Sequence, residues 1–89
     1  MDLKDIKPDK VLDVRGLSCP MPTLKTGKMM KSLEVGQILE VLGTDPGTKK
    51  DMPKLAQKSG HEWLGFLDKG EGFYHFFLRK GAGPKEEKK

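Results

Sequence analysis

Between Lys10 and Arg79 the spacing of hydrophobic positions changes several times, and each change marks an element. "KVLDVR" (10–15) alternates, with Val11 and Asp13 on one side and Leu12 and Val14 on the other, as a first strand requires. After Arg15-Gly16-Leu17-Ser18 the period becomes helical. A helix is predicted from Pro20 to about Leu33, with Thr23, Thr26, Gly27, Met30 and Leu33 on one face. That face is thin. Gly27 costs about 1 kcal/mol of helix propensity relative to alanine, and its missing side chain would let the helix approach a sheet closely. Val35-Gly36 reads as the stop. "QILEVLG" (37–43) is short and mostly apolar, the pattern of a strand buried on both sides. Thr44 and Asp45 ahead of Pro46 mark a second helix start. Met52, Leu55 and Ala56 supply its stripe, and Gly60 sits at its left-handed cap. Pro53 interrupts that stripe, so a kink, or a short turn over 47–51 followed by a helix, is expected. "EWLGFLD", "KGEG" and "FYHFFLR" then form a β-hairpin.

Strand, helix, strand, helix, strand, strand, joined by right-handed crossovers, places both helices on one side of the sheet. The predicted fold class is α/β: a two-layer βαβαββ sandwich with two helices packed on one face of a four-stranded mixed sheet. An uncovered second face would expose part of the Trp63, Phe66, Tyr74 and Phe76 group, although most of these aromatics are expected to fill the core. Residues 1–9 read as a flexible lead-in, 10–80 as the domain and 81–89 as a disordered basic tail.

Composition narrows the class. Eighty-nine residues suit one small domain. No apolar run reaches the roughly eighteen residues of a membrane span, and "MDLKDIKPDK" lacks the apolar centre of a secretory signal. A single cysteine excludes an internal disulfide and fits a reducing compartment, so a cytoplasmic location is expected. The net charge is +4, but Arg79 to Lys89 alone contains five basic and two acidic residues. The body is therefore nearly neutral, and direct nucleic-acid binding is not expected.

The chemistry concentrates at Cys19. With Cys19 as N-cap, Pro20 and Pro22 fall in the first helical turn, where a missing N–H costs nothing and a fixed φ helps. The helix dipole then favours an anionic sulfur. Each proline also deletes a donor, leaving Met21 and Thr23 as the first-turn amides, and Arg15 could add positive charge if its loop folds back. Two alternatives stand beside this: Ser18 as the cap, and Cys19 as an ordinary small buried hydrophobe. His61 reads as a cap or solvated residue, His75 as a strand residue and Asp45 and Asp51 as capping groups. One cysteine and two scattered histidines make no metal pattern, and "GTKK" lacks the upstream glycine of a phosphate loop. On the helical wheel Met21, Leu24, Lys25 and Lys28 point away from the sheet and, with Arg15, form a candidate docking patch.

"LDVRGLSCPMP" and "VGQILEVLGTDPGTKKDMPKLAQKSGHE" together resemble the TusA/SirA-like family of small sulfur carriers, over residues 10–81. Its Cys-Pro-x-Pro element is matched by Cys19, Pro20, Met21 and Pro22. Asp13, Gly16, Gly36, Asp45, Pro46 and Asp51 match further positions. Gly27 and the threonines of the first helix, and the tail "GAGPKEEKK", depart from the pattern. The resemblance implies the same βαβαββ fold, and a cysteine that carries sulfane sulfur as a persulfide without cofactor or metal. The donor would be a cysteine desulfurase or rhodanese and the acceptor a DsrE-type protein. The destination would be tRNA thiolation, cofactor biosynthesis or dissimilatory sulfur oxidation. Such a protein is a relay component rather than a stand-alone multiple-turnover enzyme, and a monomer suits it. The lack of a second cysteine agrees, since a neighbouring thiol would displace the sulfur as a disulfide. The competing readings are a regulatory or RNA-binding α/β module and a redox-sensing thiol protein.

Overall fold

A computed structural model describes residues 6–18 and 21–81; Cys19 and Pro20 fall outside the described residues, as do 1–5 and 82–89. The elements are β1 (Lys10–Asp13), α1 (Met21–Lys31), β2 (Ile38–Gly43), α2 (Thr48–Ser59), β3 (Glu62–Asp68) and β4 (Tyr74–Arg79). The sheet order is β1-β2-β4-β3. β1 runs parallel to β2, and β4 is antiparallel to both β2 and β3. This is the expected mixed four-stranded sheet with both helices on one side, and β4 wedges between the two strands that flank α2.

Register decides which side chains meet the helices. Leu12 lies opposite Val41, Val41 opposite Phe76, Leu39 opposite Leu78, and Trp63 opposite Leu78. These residues face Met30 and Leu33 from the α1 side and Met52 and Ala56 from α2, forming one buried cluster. Burial recurs at every fourth helical position, at Pro22, Thr26 and Met30 in α1 and at Thr48, Met52 and Ala56 in α2. Met30 and Met52 are fully buried, and each contributes about 1.5–3 kcal/mol by leaving water. A one-residue slip of β2 would turn Leu39 and Val41 out of this core, which pins the register.

Three expectations change, and the aromatic group resolves toward the core. The β2 strand is not buried on both sides: Leu39, Val41 and Gly43 are buried, while Ile38, Glu40 and Leu42 are half-buried on the face no helix covers. Trp63, Phe66, Tyr74 and Phe76 all lie on the helix side, and the Lys49 ammonium of α2 sits 5.2 and 4.8 Å from the Phe66 and Tyr74 ring centres. Pro53 does not break α2, which runs unbroken from Thr48 to Ser59. Its start is tightened instead, with the Thr48 and Lys49 amides donating to the Asp45 and Pro46 carbonyls at 3.0 and 3.2 Å. Gly27 does not approach the sheet but faces α2, where a Cβ would meet Leu55 Cδ1 at 4.0 Å.

Other expectations hold. Gly60 ends α2 at φ 78°, and the His61 amide donates to the Ala56 carbonyl at 2.8 Å, the left-handed helix stop. At the same end of the sheet, on its opposite edge, Asp9 is tied to β2, its amide donating to the Ile38 carbonyl and its carboxylate accepting the Ile38 amide, both at 2.8 Å. α1 as described begins at Met21 and ends at Lys31, inside the expected limits.

Candidate functional site

Cys19 and Pro20, the centre of the expected site, lie outside the described residues, so the site is built from what holds the chain on either side of them. Upstream, β1 delivers Val14 into the core, where its amide donates to the Leu42 carbonyl at 2.8 Å. The Leu17 amide donates back to the Val14 carbonyl at 3.2 Å, closing a turn. Gly16 makes that turn at φ 83°, a left-handed conformation that costs other L-residues about 1–2 kcal/mol. Its amide donates to Thr44 Oγ1 at 2.9 Å, pinning the loop to the far end of β2.

Arg15 does not act as a free cation in this loop. Its backbone amide and Nε donate to Asp13 Oδ1 at 3.0 and 2.9 Å, and Nη2 donates to Oδ2 at 2.7 Å. The guanidinium also lies 4.7 Å over the Phe73 ring. The Arg15 side-chain hydrogen bond, then its backbone amide, hold the Asp13 carboxyl down at about 2. Asp13, in turn, pushes the Arg15 pKa up. Arg15 therefore clamps the loop to β1 and to the segment before β4, with its charge committed to Asp13.

Downstream, the Met21 amide donates to the Ser18 carbonyl at 3.0 Å, a one-turn bridge that spans Cys19 and Pro20 in sequence. One of the two amides expected to face the thiolate is thereby engaged. Pro22 is fully buried, and Thr26 Oγ1 donates to its carbonyl at 2.7 Å. The second proline of the motif thus anchors the first turn of α1 in the core.

Met21 and Leu24 are exposed, 42% and 58% respectively. With Lys25 and Lys28 they line one shallow groove of about 260 Å³, and Arg15 is not among its lining residues. The structure brings four members of the candidate patch together and sends the fifth to Asp13. His61 is no catalytic partner: its Nδ1 accepts the Gly81 amide at 3.0 Å, and burial, then Lys80, pushes its pKa down. His75 is more than a strand residue. It is buried on the bare side of the sheet, with Glu40 2.5 Å from Nδ1 and Glu71 2.8 Å from Nε2. No group of three or more such side chains is placed to hold a metal ion among the described residues, and no described helix is long and apolar enough to cross a membrane.

The bracing residues Thr44 and Phe73 escaped sequence reasoning. In the sequence Thr44 marks only a helix start, and no short-range signal links Phe73 to a loop more than fifty residues earlier.

A sandwich of this topology, with its lone cysteine in a Cys-Pro-x-Pro run between a clamped loop and a buried helix start, defines a small single-thiol α/β domain. The model of the sulfurtransferase TusA family matches residues 10–80, and the chain belongs to that family. It is 50% identical over 72 residues to YrkF of Bacillus subtilis (strain 168), covering 81% of this chain but only 38% of YrkF. It is 39% identical over 72 residues to the sulfur carrier protein TusA of Allochromatium vinosum, covering 81% of this chain and 93% of that protein. Among solved structures, a SirA-like protein from Desulfitobacterium hafniense superposes with a TM-score of 0.72 at 25% identity, covering 81% of this chain and 97% of that one.

Proposed function

We propose that this chain is a sulfur carrier in which Cys19 holds the cargo as a persulfide. The observation that carries the reading is the position of its only cysteine, inside the Cys-Pro-x-Pro motif of a chain that belongs to the TusA family. The Cys19 thiolate attacks the outer sulfur of a donor cysteine persulfide. The donor S–S bond breaks, a new S–S bond forms on Cys19, and the donor leaves as a thiolate. No net oxidation occurs, and the reverse attack by an acceptor thiolate unloads the sulfur. The donor class is a cysteine desulfurase or rhodanese and the acceptor class a DsrE-type protein. The sulfur goes on to tRNA thiolation, cofactor biosynthesis or dissimilatory sulfur oxidation. Met21, Leu24, Lys25 and Lys28 dock these partners to a monomeric carrier. Pro22 sets the first turn of α1, and Asp13, Arg15 and Gly16 hold the loop ahead of the thiol.

Mass spectrometry after incubation with a desulfurase or rhodanese and its sulfur source tests this. A reducible adduct of about 32 Da, one sulfur atom, is expected on Cys19 and absent from Cys19→Ser. No adduct with either donor class refutes the carrier reading.

A further inference from the structure

The near-neutral body conceals a separation of charge. α1 contains Lys25, Lys28 and Lys31 with no acidic residue, and α2 sets Lys49, Lys50, Lys54 and Lys58 against Asp51 alone. The ion pairs among the described residues, Arg15–Asp13, His75–Glu40, His75–Glu71 and Arg79–Glu62, all belong to the sheet and its loops. Lys25, Lys28, Lys31, Lys54 and Lys58 form none with described residues. One layer of the sandwich thus presents five lysines that form no ion pair with any described carboxylate.

Between the two helices of that layer runs a groove of about 590 Å³ lined by the apolar Leu24, Gly27 and Leu55, by Lys28, Lys31 and Lys58, and by Thr23, Ser59 and His61. Gly27 adds no side chain to this lining. No side chain fills the space above it, and the nearest atom to a Cβ would be Leu55 Cδ1 at 4.0 Å. A wet, purely basic surface would suit nucleic-acid phosphates. An apolar trough flanked by lysines instead fits a protein helix with aliphatic anchors and carboxylates on either side.

We propose that this groove docks an acidic amphipathic helix of a partner protein, with an apolar side chain seated over Gly27 and flanking carboxylates on Lys28, Lys31 and Lys58. The proposal deepens the carrier reading, on which it rests for the need of a protein partner. It places that partner's helix across both helices of the carrier, beyond the patch beside Met21.

The test is an amide-resolved NMR titration of the reduced full-length chain with a synthetic helical peptide of about 18 residues, carrying a leucine seam flanked by glutamates. Controls are the same peptide with glutamine for glutamate, and a single-stranded RNA of similar length. The acidic peptide should shift the amides of Gly27, Leu55 and Lys58, and raised salt should weaken it several-fold. The glutamine peptide and the Lys28→Glu/Lys58→Glu variant should each bind about tenfold more weakly. Gly27→Leu, which fills the groove with a strong helix former, should block the peptide while circular dichroism shows a folded chain. Any of three results overturns the proposal: no shift at the groove, binding indifferent to charge, or tighter RNA binding at the same lysines. The titration is repeated with Cys19→Ser. Peptide binding without any persulfide adduct would remove the carrier reading alone, and an adduct without peptide binding would remove the groove alone.

Discussion

Alanine at Gly16 and alanine at Gly27 add the same methyl group, yet the two substitutions should move stability in opposite directions. At Gly16 the backbone stands at φ 83°, and a Cβ would meet no heavy atom within 4 Å. The cost is therefore purely conformational, about 1–2 kcal/mol for an alanine held in the left-handed region. At Gly27, in the interior of α1, a Cβ reaches only Leu55 Cδ1 at an ordinary 4.0 Å. No neighbour has to give, so the helix gains about 0.8–1 kcal/mol of propensity.

Urea unfolding followed by Trp63 fluorescence separates the two. With a urea dependence of about 1–1.5 kcal/mol/M for a domain of this size, Gly16→Ala should lower the midpoint by roughly 1 M and Gly27→Ala should raise it by somewhat less. Gly16→Asn should recover part of the loss, because asparagine tolerates the left-handed region better than alanine. Sulfur loading from a small-molecule persulfide, at equal folded fraction, gives the functional arm: Gly16→Ala should slow it and Gly27→Ala should leave it unchanged. A Gly16→Ala midpoint at or above wild type would refute the argument, since it would mean that the loop does not need its left-handed turn.

Three further outcomes follow from the same contacts. NMR titration of Asp13 should give a carboxyl pKa of about 2, moving back toward the ordinary 3.8 in Arg15→Ala. Because the folded value is depressed, the clamp's contribution is complete above about pH 4 and disappears as pH falls through about 2; a wild-type value near 3.8 contradicts the clamp. Burial and Lys80 depress the His61 pKa below its ordinary 6.5, so the unfolded chain takes up that proton first and stability should fall as pH drops below 6.5. The urea midpoint should therefore fall less between pH 7.5 and 5.5 in His61→Gln than in wild type, and equal slopes would remove His61 from the account. Phe73→Leu keeps an apolar side chain but loses the cation–π contact, about 0.5–1 kcal/mol at an exposed site, and should lower loading rates in proportion to Arg15→Ala.

How much of this was legible in the sequence depended on the range of the signal. The alternation of 10–15, the left-handed stop at Gly60 and the exposure of Met21, Leu24, Lys25 and Lys28 are properties of one element, and the chain states them directly. The bracing of the cysteine loop was not legible, because Gly16 meets Thr44 from 28 positions away and Arg15 lies over Phe73, in the segment before β4. Pairings at that range follow from strand register, which no local pattern specifies. Pro53 misled for a related reason: it removes one helical donor, but Met52 and Ala56 are fully buried against the sheet on either side of it, and tertiary packing outweighs the local cost. Charge misled most of all. A formal sum carries no positions, so a nearly neutral body gave no sign that most of its lysines lie on the helices and most of its internally paired acids on the sheet.

That segregation separates two jobs. The loop ahead of Cys19 is held by Asp13, Thr44 and Phe73, contacts made from the strands and their ends. The unpaired lysines and the apolar groove belong to α1 and α2. A partner lying across the helices therefore engages none of the side chains that hold the loop. Substitutions in the brace should change sulfur loading from every donor alike, because they alter the frame around the thiol. Substitutions at Lys28, Lys31 or Lys58 should instead discriminate among partners and leave the thiol's reaction with a small-molecule persulfide untouched. If Lys58→Glu slowed that small-molecule reaction as much as it slowed transfer from a protein donor, the helical layer would be acting on the cysteine's chemistry, and the separation of brace from docking surface would have to be abandoned.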